Sequence, residues 1–114
     1  MKAASENDNI SISPKVCTPG NDGSYDQIGI HYQFDQAGYL ASIMIFNAAG
    51  QLVRRLVNNE LIGTSGTYSW NGIYDNNSKA PAGMYVILIE LTDVRGKIVR
   101  YKKTAVIAPG TSNY

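Results

Sequence analysis

WNGIYDNNSKAPAGMYVILIELT, residues 70–92, decides the fold. It holds the only tryptophan, Trp70, then a polar excursion rich in Asn, Asp, Ser and Lys, then Gly83 and a nearly unbroken apolar run from Met84 to Leu91. The run is too short to cross a membrane as a helix, and Tyr85, Val86, Ile87 and Ile89 give it the β-branched and aromatic character of a strand. The order predicts a strand ending at Trp70, an excursion, and a central strand with both faces covered.

Working outward, the whole chain suits one domain: 114 residues, 44% hydrophobic, enough to bury roughly two thirds of the unfolded surface. Ten Lys and Arg against nine Asp and Glu leave a net charge of +1, so the bulk balance points to neither nucleic acid nor membrane insertion. The one basic cluster is Arg95, Lys97, Arg100, Lys102 and Lys103, whose members alternate between faces if the segment is a strand. Solubility and protection of a sheet edge are its plain reading, and an anionic partner is the other.

The single cysteine, Cys17, excludes an internal disulfide and has no companions at metal-ligand spacing. It reads as a small hydrophobe under a strand end. The only histidine, His31, lies in Ile28-Gly-Ile-His-Tyr-Gln-Phe34, where Ile28, Ile30, Tyr32 and Phe34 share one face and His31 faces the other way, toward solvent. No nucleophile has a base beside it, no glycine-rich phosphate cradle joins a strand to a helix, and no carboxylate pair is placed by regular structure. Asp75 and Glu90 read as solvated charges, and an enzyme is not expected.

In chain order, residues 1–9 read as a disordered or appended tail without the apolar core of a secretory signal. Either the protein is cytoplasmic, or this is a piece of a longer chain whose targeting signal lies elsewhere. Ile10, Ile12 and Val16 suggest a first strand that Pro14 confines to an edge or a broken pair. After the turn 18–26 come strands at about 27–34 and 39–47, then the hairpin loop Asn47-Ala-Ala-Gly50 and a returning strand at 51–57, preferred to a helix because of the tight turn. Residues 58–66 read as a connection that tucks Leu61 and Ile62 under the sheet. Thr67–Trp70, Met84–Asp93 and Lys97–Ile107 complete about seven strands, with Tyr68 and Trp70 on one face and a turn at Val94-Arg-Gly96. An all-β, Ig-like antiparallel β-sandwich over residues 10–108 follows, with a tail at 109–114. The two hairpins, SIMIFNAAGQLVRRL at 42–56 and VILIELTDVRGKIVRYK at 86–102, share a grammar: an apolar strand, a polar turn ending in Gly, one polar residue, two apolar residues and Arg.

Five segments in order, Thr18-Pro-Gly-Asn-Asp-Gly23, Ile43-Met-Ile-Phe-Asn-Ala-Ala-Gly50-Gln-Leu-Val53, Trp70-Asn-Gly72, Pro81-Ala-Gly83-Met-Tyr85 and a C-terminal strand of Lys and apolar residues, resemble bacterial Ig-like domains. These are the FlgD-like domain of the flagellar hook cap and the C-terminal sorting domains of the Bacteroidetes type IX secretion system, in particular the gliding-motility-associated variety. The turn departs from that variety, because Gly20-Asn21-Asp22-Gly23 permutes its order and the acidic residue expected next appears only at Asp26. The resemblance implies a folded, non-catalytic signal at the C-terminus of a larger cargo, read by the outer-membrane export machinery, with the protein secreted or held at the cell surface. An Ig-like adhesion, carbohydrate-binding or structural spacer module is the alternative.

The matched residues read first as architecture: Gly50 and Gly83 for backbone freedom, Trp70 for buried area, and Tyr85 for a hydroxyl within reach of a loop carbonyl. The sorting surface is expected on the last hairpin, through exposed members of Arg95, Lys97, Arg100, Lys102 and Lys103, or through strand addition to an open edge. Asn21, Asp22 and Asp26 carry oxygens at spacings like a fragment of a calcium loop. Thr18 and Gly20 fill that loop's first ligand positions, so an Asx-type turn without metal or other cofactor is the preferred reading. A sugar-stacking platform would have to come from Tyr25, Tyr39, Tyr74 and Tyr114, because Tyr32, Tyr68, Tyr85 and Tyr101 fall on faces expected to be buried.

Overall fold

The computed structural model describes residues 9–18 and 27–109; Asn21, Asp22 and Asp26 of the calcium reading, and Tyr25 and Tyr114 of the sugar reading, lie outside them. The described residues form eight strands: β1 (Ile10–Ile12), β2 (Val16–Cys17), β3 (Ile28–Gln33), β4 (Leu40–Phe46), β5 (Leu52–Leu61), β6 (Ser65–Trp70), β7 (Gly83–Thr92) and β8 (Ile98–Ile107). One sheet has the order β1-β3-β6 and the other β2-β8-β7-β4-β5. This is the sandwich that the alternating segments imply.

The core is the meeting of the two inner faces. Ile28, Ile30 and Trp70 from the first sheet face Ile43, Ile45, Tyr85, Ile87, Ile89, Leu91 and Ile107 from the second, each at most 3% exposed. The alternation of β7 puts Tyr85, Ile87, Ile89 and Leu91 on one side, each contributing roughly 1.5–3 kcal/mol through burial. That face fixes β7 in the middle of its sheet.

The opposite face of β7 corrects the expectation that both sides are covered. Val86 and Leu88 are half-buried and Met84 is 56% exposed. Among the described residues no third layer lies over the five-stranded sheet, so the continuous apolar run marks a central strand of a two-layer sandwich.

The first strand is broken, as Pro14 requires. Ser13 N–H still bonds to Gly29 O at 2.9 Å; beyond the cis Ser13–Pro14 peptide the chain changes sheets, and Val16 and Cys17 pair with Val106 and Ile107. That pairing is parallel, and the other five strand pairings among the described residues are antiparallel. Cys17 is wholly buried at the crossing.

Residues 58–66 are not simply a connection. β5 runs on to Leu61, which is 72% exposed, while Ile62 alone turns inward at 5%. The segment is an edge strand with polar residues on both faces, so it lacks the alternation that reveals a half-buried strand. Asn59 occupies the left-handed region at φ 53° where the β4–β5 register shifts, and its N–H bonds to Ser42 Oγ at 3.0 Å.

The two hairpin turns are built alike. Asn47 N–H bonds to Gln51 O and Asp93 N–H to Lys97 O at 3.0 and 2.9 Å, and each side-chain Oδ1 accepts two further backbone N–H groups. Gly50 and Gly96 complete them at φ 85° and 87°. The shared grammar is therefore shared turn geometry.

Candidate functional site

The predicted architectural residues occupy one end of the sandwich. Trp70, 1% exposed, donates from Nε1 to Ile73 O at 3.0 Å and meets Tyr85 edge-on, with ring centroids 5.3 Å apart. Tyr85 donates to Pro81 O at 2.6 Å and accepts from Tyr74 at 3.0 Å. Burial first, then the Tyr74 hydroxyl, pushes the Tyr85 phenol well above the usual tyrosine range. Gly83 begins β7 at φ 153°. These groups use their polar atoms on one another and on the backbone, which is the chemistry of a closed strand end.

The tyrosines do not assemble a flat platform among the described residues. Tyr39 packs tilted on Phe34 at 5.1 Å, and Tyr74 is half-buried against Tyr85. His31 faces out from its sheet as expected, yet it is half-buried rather than free in solvent. Its Nε2 donates to Ser13 O at 2.8 Å and, in the neutral ring, its Nδ1 accepts from Thr67 Oγ1 at 2.9 Å. It ties β1 to β3 and β6.

The basic cluster is divided among three places. Arg95 and Lys97 are exposed in the turn that Asp93 organises. Arg100 lies on the outer face of β8 and bonds to Glu90 at 2.7 Å. Lys102 is exposed on that outer face, while Lys103 is half-buried on the inner one and turned toward β1. The alternation read from the sequence is real, and it breaks the cluster into separate surfaces.

What gathers around Lys102 and Lys103 instead is a groove of about 350 Å³, lined by Ile10, Ile12, Lys15, Lys102, Lys103 and Thr104 among others. It exists because β1 belongs to one sheet and β8 to the other, while β2 reaches only the last two residues of β8. Lys15 was missed by sequence reasoning, since nothing local distinguishes a lysine in a Pro-Lys turn as the neighbour of a distant strand.

The backbone of β8 defines the groove's open wall. Val106 N–H bonds to Lys15 O and Ala108 N–H to Cys17 O, both at 2.8 Å, so these groups point away from β7. The two-residue period of a strand turns Thr104, Lys102 and Arg100 the same way. Among the described residues no strand pairs with the outer edge of β8 between Ile98 and Ala105. An edge of this kind, rimmed by cations, can accept another strand through main-chain hydrogen bonds.

Comparisons with known proteins agree with this architecture. The family model described as CHU_C type IX secretion signal domain matches residues 11–106. No curated protein matches the chain. Among solved structures, the crystal structure of CopC from Methylosinus trichosporium OB3b is similar at 18% identity and a TM-score of 0.53, covering 91% of this chain and 95% of that one. At that identity the likeness is one of fold.

Proposed function

The chain belongs to the CHU_C type IX secretion signal domain family, and on that premise we propose that residues 10–108 form a non-catalytic C-terminal sorting domain. It directs export and cell-surface attachment of a larger cargo protein through the type IX outer-membrane machinery. Membership itself makes this an exported protein, the C-terminal part of a longer secreted or cell-surface precursor. The observation that supports the finer reading is the outer edge of β8, which among the described residues no strand pairs between Ile98 and Ala105 and which carries Lys102. A folded signal must be told from every other folded domain by its surface, and an open edge combines general main-chain affinity with side-chain specificity.

The test is to fuse the full chain to the C-terminus of a secreted reporter in a bacterium that has a type IX system. Surface display that is lost when residues 97–114 are deleted is the expected result. A reporter left in the periplasm, with the fused domain folded, overturns the sorting reading.

A further inference from the structure

We propose that the outer edge of β6 receives an extended segment of another protein as a fourth strand of the smaller sheet, a segment of uncharged β-branched residues with one basic residue turned inward against Glu60. The inference goes beyond the sorting reading and does not depend on it, because the chemistry of the partner comes from this edge alone.

The backbone of β6 is the first observation. Gln33 N–H bonds to Asn9 O and Ser13 N–H to Gly29 O, both at 2.9 Å, so the odd-numbered residues of β3 turn their backbone groups toward β1. Ile28, Ile30 and Tyr32 therefore turn theirs toward β6, where they oppose Trp70, Tyr68 and Gly66. That leaves the N–H and C=O groups of Ser65, Thr67 and Ser69 pointing away from β3, and among the described residues none of them has a main-chain partner. The register with β3 holds from Ser65 to Trp70 without a shift, so these groups stand in line.

Second, this edge carries none of the devices that guard the others. SGTYSW holds no charge and no proline. On the β5 edge the register shifts in three places and Asp75 caps the strand, donating to Val53 O at 2.9 Å and accepting from Arg55 N–H at 3.1 Å. β1 breaks at Pro14, and β8 carries Arg100 and Lys102 ahead of the two residues that β2 covers. An unguarded edge in a molecule that guards the rest is suited to receive a strand.

Third, β5 has no strand opposite it among the described residues. β6 stands over β4: Tyr68 lies with Ala41 and Ile43 in the core, and its hydroxyl reaches out to Glu60 of β5 at 2.6 Å. β5 thus runs past the margin of the three-stranded sheet. Of its residues only Val57 is buried, and Glu60 stays exposed although its register with Ala41 turns it inward. A strand added to β6 fills this place.

The same geometry selects the occupant. Among the described residues no cation pairs with Glu60, so a Lys or Arg on the inward side of the added strand complements it. Leu56 and Tyr68, half-buried at the same margin, suit aliphatic neighbours for that residue. On the outer side Ser65, Thr67 and Ser69 are exposed and match threonine across the strands. A second copy joined edge to edge does not fit. The two-fold axis of an antiparallel pair is perpendicular to the sheet, so the copy's larger sheet would fall on the same side and its β5 would compete for the space of this one. A lone extended segment has no second layer.

The experiment is a fluorescence anisotropy titration of the full chain with the labelled peptide Thr-Val-Thr-Lys-Thr-Val-Thr, which is about as long as β6. Saturable binding is expected, about tenfold tighter than for the peptide with Glu in place of Lys, the worth of an exposed attraction exchanged for a repulsion. Glu60→Lys should reverse the preference. Glu60→Gln, which keeps an oxygen for the Tyr68 hydroxyl, should level it. N-methylation of the threonines, whose N–H groups face β6, should abolish binding, and N-methylation of the valines and lysine should leave it. Ser69→Pro removes an outward N–H where an edge strand tolerates proline and should also abolish it. Each variant is first checked for native circular dichroism, and should Ser69→Pro fail to fold, the methylated peptides test the same ladder on the unaltered chain.

The absence of saturable binding overturns the proposal, as does equal binding of the two methylated peptides or a Glu60→Lys variant that still prefers the lysine peptide. Binding kept by Ser69→Pro but lost in Lys102→Glu assigns the peptide to β8 and overturns it too. So does a dimer, seen by sedimentation without peptide and abolished by Ser69→Pro, which assigns the edge to a second copy.

Discussion

The hydroxyl of Tyr85 donates to the carbonyl oxygen of Pro81 across 2.6 Å, fastening the excursion 71–83 to the strand that follows it. Because the Tyr85 hydroxyl oxygen also accepts from the Tyr74 hydroxyl at 3.0 Å, and the Tyr85 ring lies edge-on to Trp70, one side chain joins the loop, the strand and the core.

Tyr85→Phe keeps the ring and removes the junction. It leaves the Pro81 carbonyl and the Tyr74 hydroxyl without this partner, so a loss of about 1–3 kcal/mol is expected. Urea denaturation followed by circular dichroism measures it, and an unchanged midpoint would show that water replaces the hydroxyl at no cost.

Alkali should destabilise the domain. The Tyr68 phenol is pushed up to about 12, by burial first and then by its hydrogen bond to Glu60 and the charge of that carboxylate; Tyr85 moves in the same direction. In the unfolded chain a tyrosine ionises near pH 10. Above that pH the unfolded state therefore binds fewer protons than the folded one, and stability, full below about pH 10, falls as pH rises toward the folded value. Denaturation midpoints at about pH 8 and pH 11 test the sign, and Tyr68→Phe should flatten the slope.

Gly50→Ala and Gly96→Ala should each cost about 1–2 kcal/mol, because both turns hold their glycine in the left-handed region and neither has a contact that could offset the strain. Thermal melts of the two single variants and of the double variant check this. The costs should add, since the turns lie on different hairpins.

Gly29→Ala should be worse than either, although its φ is unremarkable. A methyl group there would run into the backbone oxygen of Ser13 and approach the His31 ring at 2.9 Å. The Ser13–Gly29 hydrogen bond and the His31 link to Ser13 would both have to shift, at about 1–3 kcal/mol for overpacking. Hydrogen exchange at Ser13 reads it locally: faster exchange is expected, and unchanged protection together with an unchanged melting temperature would refute the clash.

Much of the sandwich was legible in the sequence because its determinants are local. The alternation of Ile28, Ile30, Tyr32 and Phe34 fixes which face of β3 is buried, and Asn47 and Asp93 with their glycines fix two hairpins without help from elsewhere. The sequence placed the Tyr85 hydroxyl within reach of a loop carbonyl, and the structure identifies that carbonyl as Pro81. The far end of β5 was not legible, since Asn58, Asn59 and Glu60 carry no period when neither face is buried.

The sequence by itself determined the class of fold, the strands of its core, the inward face of β3 and the cationic character of the last strand, because side-chain periodicity and turn chemistry act over a few residues. Only the tertiary structure decided which cations stand together. The crossing of the first strand from one sheet to the other at Pro14 brings Lys15 beside Lys102 and Lys103 and leaves most of the outer edge of β8 without a strand beside it among the described residues. A meeting of segments so far apart along the chain is set by how two sheets close over a common core, and no local pattern records it.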